Sequence, residues 1–130
     1  MLILSVADVA ELHERIIKVT GGSFGIRDLG LLESAVIGCY QSFGGVDLYP
    51  TVIHKAARIA YAICKNHPFI DGNKRTAVTS MLVLLRMNDI ALSYSQHELV
   101  SFALGVANDC IQYEDIITWL SERRQTIGGR

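Results

Sequence analysis

The residues best suited to chemistry lie together in one short stretch, HPFIDGNKRTA, residues 67–77. This stretch combines an imidazole (His67), a carboxylate (Asp71) and two adjacent cations (Lys74 and Arg75), and a strongly apolar run follows at once. An imidazole exchanges protons near neutral pH, a carboxylate binds hard metal ions, and paired cations bind phosphates. The stretch is therefore the first candidate for a catalytic site.

The same stretch falls at the expected junction of two helices. Pro68 disfavours helical geometry at His67 and so ends one helix, and Gly72-Asn73 begins the next. The first turn of a helix has four backbone N–H groups without intrahelical partners, and the macrodipole adds partial positive charge there. The two cations that follow point about 100° apart, so they can contact different phosphates. We interpret this helix start as a phosphate-binding site.

Asp71 and His67 fit the two remaining roles. A carboxylate beside an electropositive helix start is unsuited to anions but suits Mg²⁺, which prefers one or two carboxylates together with phosphate and water. A histidine acting as a general base contributes roughly 10²- to 10⁴-fold in rate. Base, metal ligand and phosphate site together indicate transfer of a phosphorus-containing group from a nucleotide to a hydroxyl.

Each of these residues also has an ordinary structural interpretation. A histidine before a proline is commonly a loop residue, and Asp71-Gly72-Asn73 is common turn chemistry with Asn73 as a helix N-cap. Lys74-Arg75 could be a solvated pair, and Phe69 could simply fill the core. Their concentration at the start of the one helix expected to be fully buried favours catalysis, because a catalytic site needs a rigid mount.

Composition limits the class of protein. The chain has 130 residues, half of them hydrophobic, which predicts one compact domain over residues 1–130. Twelve Lys and Arg against thirteen Asp and Glu argue against a nucleic-acid partner. The longest apolar run is too short for a membrane span, and the first residues lack a signal-peptide pattern. We expect a cytoplasmic protein with reduced, packed thiols at Cys39, Cys64 and Cys110.

The elements that must position the stretch read as helices, with almost no support for strands. Capping residues and apolar periodicity indicate about six helices, and the segment between Ala77 and Leu85 is apolar on nearly every side. We expect His13 and His97, each beside a glutamate, on helix surfaces. The predicted helices cover residues 5–18, 29–40, 50–66, 74–89, 95–107 and 113–124.

The stretch from His67 to Arg75 reads H-P-F-x-D-G-N-K-R and resembles the signature of the Fic/Doc (Fido) family. It is most similar to the Doc branch, the death-on-curing toxins of toxin–antitoxin modules. GIRDLGLLESA at 25–35 and YPT at 49–51 are also similar to that branch, so the resemblance covers most of the chain. It implies an all-α, Fido-type domain in which the motif loop leads into a buried central helix.

The resemblance also implies a role for each residue of the site. His67 would accept a proton from the target hydroxyl, Phe69 would anchor the loop in the core, and Asp71 would hold Mg²⁺. The ATP phosphates would contact Gly72, Asn73, Lys74 and Arg75. A flap that positions the target chain would comprise Gly25, Ile26, Arg27 and Asp28.

Two departures from the AMP-transferring Fic pattern, HPFx(D/E)GNGRxxR, bear on the reaction. Lys74 replaces a glycine of that pattern, and Val78 replaces its second arginine. Doc proteins resembling this chain are understood to bind ATP in the reversed orientation, which implies transfer of the γ-phosphate to a Ser or Thr of a protein. The target that the resemblance implies is elongation factor Tu, and its modification would arrest translation. The alternatives are AMP or other nucleotidyl transfer, or a catalytically silent helical module that binds phosphate or a peptide.

The resemblance further implies control by a partner. In the family, a helix of a Phd-like antitoxin covers the active-site groove. Self-inhibiting Fic proteins instead carry (S/T)xxxE(G/N), and TWLSER at residues 118–123 has Arg where Gly or Asn belongs. We interpret that near-match as accidental and expect control by an antitoxin.

Overall fold

The computed structural model describes residues 1–125, in which six α-helices surround one core. The prediction of an all-α fold of about six helices is confirmed. The helices are α1 (Val6–Thr20), α2 (Leu29–Ile37), α3 (Val52–Asn66), α4 (Asn73–Met87), α5 (Gln96–Ala107) and α6 (Tyr113–Arg123). A 3₁₀ turn at Gly38–Tyr40 and a small hairpin, β1 (Ser42–Phe43) and β2 (Val46–Asp47), connect α2 to α3.

Three helices begin with the side-chain caps that the sequence indicates, and Thr51 and Gln112 cap two others. At α1, the Ser5 hydroxyl accepts from the Asp8 N–H and the Asp8 carboxylate accepts from the Ser5 N–H. Ser95 and Glu98 form the same reciprocal capping box at α5. At α2, the Asp28 carboxylate accepts from the backbone N–H of the third helical residue at 3.0 Å. Such caps satisfy backbone donors that the first helical turn leaves free.

The hairpin differs from the prediction, which treated the glycine pair between α2 and α3 as a simple break. Gly44 and Gly45 have φ values of 60° and 80°, the left-handed geometry that a two-residue type I′ turn requires at both central positions. Lys55 of α3 is buried, and its ammonium donates to the Asp47 carboxylate and the Tyr49 carbonyl. Lys55, which belongs to α3 and not to the hairpin, thus connects the two.

The helix expected to be fully enclosed, α4, is open along one side. Its residues Val78, Met81 and Leu84 are buried, but Leu82 and Val83 are half-buried. The reason is that α3 covers one face of α4 while α1 and α5 pack beside it. The helix most enclosed along its length is α3. Its buried residues are Ile53, Lys55, Ala56, Ala57, Ile59, Ala60, Ala62, Ile63 and Cys64.

The cysteine prediction is right for two thiols and wrong for the third. Cys39 and Cys64 are buried and reduced, and burial raises the pKa of each thiol to about 11. Cys110 is exposed, because it lies in the turn between α5 and α6 rather than on a packed helical face.

The TWLSER segment lies in α6 and contributes mainly to packing. The Trp119 ring stacks on Phe102 with centroids 4.2 Å apart, and the Arg123 guanidinium lies 4.3 Å from the Trp119 ring. Arg123 also pairs with Glu98 of α5 at 2.8 Å. Among the helices of residues 1–125, none has both the length and the apolar character needed to cross a bilayer.

Candidate active site

His67 terminates α3 and presents its ring to solvent. Its backbone is left-handed, with φ 48° and ψ 57°, and its N–H donates to the Ile63 carbonyl. Pro68 and Phe69 immediately turn inward and are buried, whereas His67 is exposed. Within residues 1–125 the imidazole makes no hydrogen bond. The ring is therefore accessible to an incoming hydroxyl.

The segment at 25–28 runs alongside the motif loop and is hydrogen-bonded to it through the backbone. The N–H groups of Arg27 and Asp28 both donate to the Pro68 carbonyl, at 2.7 and 3.0 Å. Ile26 and Phe69 form an isolated antiparallel bridge. The four residues predicted to form the flap are thus adjacent to the loop that carries the proposed base.

Two side chains of that segment hold secondary structure in place. The Arg27 guanidinium donates to the carbonyls of Asn66, the last residue of α3, and of His67, its C-cap, at 2.7 Å each. The Asp28 carboxylate caps α2. Gly25 is also constrained, because with φ at 119° an added Cβ would lie 2.7 Å from Ile70 Cδ1. The segment braces the loop whether or not it also positions a target chain.

The loop is anchored through Phe69 and His13. Phe69 is 1% exposed, and its ring stacks on that of His13 with centroids 3.8 Å apart and planes 6° apart. His13 is 3% exposed, and its Nε2 lies 2.7 Å from the carbonyl oxygen of Asp71. The expectation of a surface His13 is therefore wrong. Helical spacing carried the missing signal, since Val9, His13 and Ile17 are four residues apart and all buried.

The Asn73 side chain is occupied by the loop backbone. Its Oδ1 accepts from the Phe69 N–H and its Nδ2 donates to the Phe69 carbonyl, both at 2.9 Å. The residue at the N-cap of α4 is Gly72 rather than Asn73, with a left-handed φ of 75°. A Cβ on Gly72 would lie 3.0 Å from Ile17 Cδ1, so a side chain here would need Ile17 to shift and would be strained by the left-handed backbone. The backbone N–H of Asn73 and the second N–H of its amide are left for a phosphate, so the predicted contact of Asn73 with a phosphate stays a prediction.

Asp71 lies beside the start of α4 with its carboxylate about half exposed, 46% for the side chain. Its Oδ2 accepts from the Ser23 N–H at 3.1 Å and its Oδ1 accepts from the Gly72 N–H at 2.8 Å. These two donors, with the Arg75 guanidinium, hold the pKa of the Asp71 carboxyl below its ordinary value. The group is thus a carboxylate at neutral pH, with lone pairs left for a cation.

The two cations at this helix start have different surroundings. Lys74 is exposed, and no carboxylate in the described part of the chain pairs with it. The Arg75 guanidinium turns back to the end of α1, where it donates to the Thr20 hydroxyl and to the Gly21 carbonyl. Lys74 is therefore available to a ligand, and Arg75 links α4 to α1 while it also lines the cleft described next.

An open cleft of about 420 Å³ joins these groups, and we call it the tip cleft. The backbone N–H groups of residues 73–75 have no acceptor within residues 1–125, as expected for the first turn of a helix. Free N–H groups, an exposed ammonium and an exposed imidazole can together bind a phosphate chain beside a proton acceptor. The cleft is lined by His67, Ile70, Asp71, Gly72, Asn73, Lys74 and Arg75.

Known proteins with similar sequences identify the family of this chain. A family model described as the Fic/DOC family matches residues 3–85. The "Protein kinase doc" of Escherichia phage P1 is 30% identical over 113 residues, which cover 87% of this chain and 88% of that protein. The "Toxin Doc" of Mycolicibacterium smegmatis is 40% identical over 73 residues, and the matched part spans just over half, 56%, of that protein's length. The chain belongs to the Fic/Doc family.

Proposed function

We propose that this chain is a Doc-type toxin that transfers the γ-phosphate of ATP to a Ser or Thr hydroxyl of a protein. The proposed target is elongation factor Tu, whose modification would arrest translation. The observation that carries the proposal is the exposed His67 imidazole at the rim of the tip cleft, beside the free N–H groups of α4. The names of the two relatives, a toxin and a protein kinase, support it.

The residues of the cleft divide the chemistry among them. The free N–H groups of residues 73–75 and the Lys74 ammonium bind the phosphate oxygens. The hydroxyl oxygen of the target attacks the γ-phosphorus, the bond from that phosphorus to the ADP oxygen breaks, and His67 takes the hydroxyl proton.

Asp71 has the properties of a Mg²⁺ ligand. Its carboxylate borders the tip cleft, and a single carboxylate suits Mg²⁺, which fills its other positions with phosphate oxygens and water. When bound, Mg²⁺ would neutralise charge on the phosphate chain. The N–H bonds from Ser23 and Gly72 orient the carboxylate for that role.

Two residues favour phosphoryl over AMP transfer. Lys74 places a long cation where the AMP-transferring pattern has glycine, and it occupies space at the cleft. Val78, at the position of the second arginine, is buried at 8% exposure and offers no charge. Without that arginine, the chain lacks the group that the AMP-transferring pattern supplies at this position.

The proposed partner in control is a Phd-like antitoxin. A mostly apolar groove of about 270 Å³ leads from the tip cleft between α4 and α5, with Val100 and Leu104 exposed along it. Such a groove fits the apolar face of a helix, and an acidic residue on that helix could pair with Lys74. The groove is lined by Lys74, Arg75, Val78, Thr79, Leu99, Val100, Ala103 and Leu104.

The test uses ATP labelled at either the α- or the γ-phosphate, with Mg²⁺ and purified elongation factor Tu. We expect the target to gain label from the γ position only, and the His67→Ala variant to transfer none. Label from the α position would instead establish nucleotidyl transfer. Growth arrest that persists with His67→Ala, without label on any protein, would support the silent binding module.

A further inference from the structure

We propose that His13 is a positioning residue that holds the Asp71–Gly72 peptide in the orientation the tip cleft needs. The inference rests on the proposed function in one respect, since the ligand of the cleft is taken to be the phosphate chain of ATP. His13 itself does not touch that ligand, because it is 3% exposed and lies on the buried face of α1.

The geometry fixes both the proton and the ring of His13. Its Nε2 lies 2.7 Å from the Asp71 carbonyl oxygen, which can only accept, so this nitrogen carries the proton. The ring lies parallel to Phe69 at 3.8 Å. Rotation of the imidazole would therefore disturb the side chain that anchors the loop, and the donor stays directed at Asp71.

The Asp71–Gly72 peptide needs a restraint because the glycine would otherwise let it flip. In a trans peptide the C=O and N–H point in opposite directions, so fixing the Asp71 carbonyl also fixes the Gly72 N–H. That N–H donates to the Asp71 carboxylate at 2.8 Å. Glycine accepts positive and negative φ about equally, so residue 72 alone would permit this peptide to flip.

A flip of the Asp71–Gly72 peptide would make the electrostatics of the tip cleft less favourable for an anion. It would withdraw the Gly72 N–H from the Asp71 carboxylate and direct a carbonyl oxygen, with its partial negative charge, to that side of the loop. The carboxylate borders the tip cleft, where the proposed ligand is itself an anion. The hydrogen bond from His13 opposes this change, because a flip would leave a buried imidazole donor without an acceptor.

Packing alone does not explain a histidine at this position. The residues one turn before and after it on the same face, Val9 and Ile17, are apolar and buried, and an apolar side chain at residue 13 would fill similar space. Burying an imidazole is unfavourable unless its polar atoms are bonded. The bond to Asp71 is the one hydrogen bond of the His13 ring within residues 1–125. The polar function of His13 is therefore to hold the motif loop.

The experiment compares three variants of the full chain. His13→Phe keeps a stacked ring but removes the donor, and His13→Gln retains a donor near the position of Nε2. Val9→Ala is the matched control, since it loosens the same face of α1 without touching Asp71. The readouts are the NMR amide resonance of Gly72 in the free protein and the affinity for ATP with Mg²⁺.

We expect His13→Phe to move the Gly72 resonance and to weaken ATP binding about tenfold, the effect of losing one ordering hydrogen bond. His13→Gln should keep both close to the unmodified protein, as should Val9→Ala despite its lower stability. An unchanged Gly72 resonance in His13→Phe, or equal changes in Val9→Ala, would overturn the inference. If His13→Phe does not fold, the His13→Gln variant provides the test, because a loss of its affinity for ATP would contradict the inference. If the unmodified protein binds no ATP, the proposed function fails while the Gly72 resonance still tests the peptide.

Discussion

Arg27 holds the backbone of His67, with its Nε donating to the His67 carbonyl oxygen at 2.7 Å. The same guanidinium donates to the Asn66 carbonyl, so one fork satisfies two of the carbonyls that the end of α3 leaves without intrahelical partners. A cation at a helix C-terminus also complements the macrodipole. The segment 25–28 therefore fixes the point from which the proposed base projects.

Replacing Arg27 by Met tests this arrangement. Two hydrogen bonds from a charged donor are lost, so we expect the free energy of unfolding to fall by about 1 kcal/mol, a small value because Arg27 is exposed. Phosphate transfer should fall as well, because His67 loses its support. Arg15→Met is the control, since Arg15 pairs only with the exposed Glu11 one turn away. Equal urea midpoints for the two variants would refute the role of Arg27.

The left-handed backbone of His67 predicts an opposition between stability and activity. At φ 48° a residue with a Cβ is strained by about 1 kcal/mol, and glycine is not. We expect His67→Gly to be about 1 kcal/mol more stable than His67→Ala, while both lose transfer activity by at least roughly 10²-fold. Urea denaturation and labelled ATP provide the two measurements. Similar stability of the two variants would show that the strain is absent.

The two cations of the tip cleft should respond differently to substitution. Lys74→Ala removes an exposed ammonium with which no carboxylate of residues 1–125 pairs, so it should weaken ATP binding and leave the free energy of unfolding nearly unchanged. Arg75→Ala also removes hydrogen bonds to Thr20 and Gly21, so it should lower that free energy by about 1 kcal/mol. Calorimetric titration with ATP and thermal unfolding separate the effects. A stability loss in Lys74→Ala equal to that in Arg75→Ala would contradict this division.

The depressed pKa of Asp71 predicts a specific dependence on pH. The Ser23 and Gly72 N–H groups favour the carboxylate in the folded state, so Asp71 stabilises the fold above the ordinary value of 3.8. That contribution is lost as pH falls through the lower pKa of the folded state. Asp71→Asn should be less stable than the unmodified protein at pH 7, and the difference should narrow towards pH 3. A difference that is constant with pH would contradict the assignment.

Local signals made much of this structure predictable. The Ser5–Asp8 and Ser95–Glu98 capping boxes and the Asp28 cap act over three residues, so the sequence contains all the atoms concerned. The chemically active residue types of the site are likewise adjacent in the sequence, from His67 to Arg75, so no knowledge of the fold was needed to group them. The hairpin was missed because Gly44-Gly45 was interpreted as a helix break rather than as a two-residue turn, and its tie to α3 comes from Lys55, in the next helix.

By itself the sequence determined the helices, the helix junction at Pro68 and the kinds of group beside it. The tertiary structure decided which of those groups are free. Asn73 and Arg75 are engaged with the loop and with α1, Lys74 is not, and His13 is drawn into the core to hold a residue 58 positions away in the chain. The reason is physical: a buried polar group without a partner is destabilising, and which partner lies within hydrogen-bond distance depends on how separate helices pack.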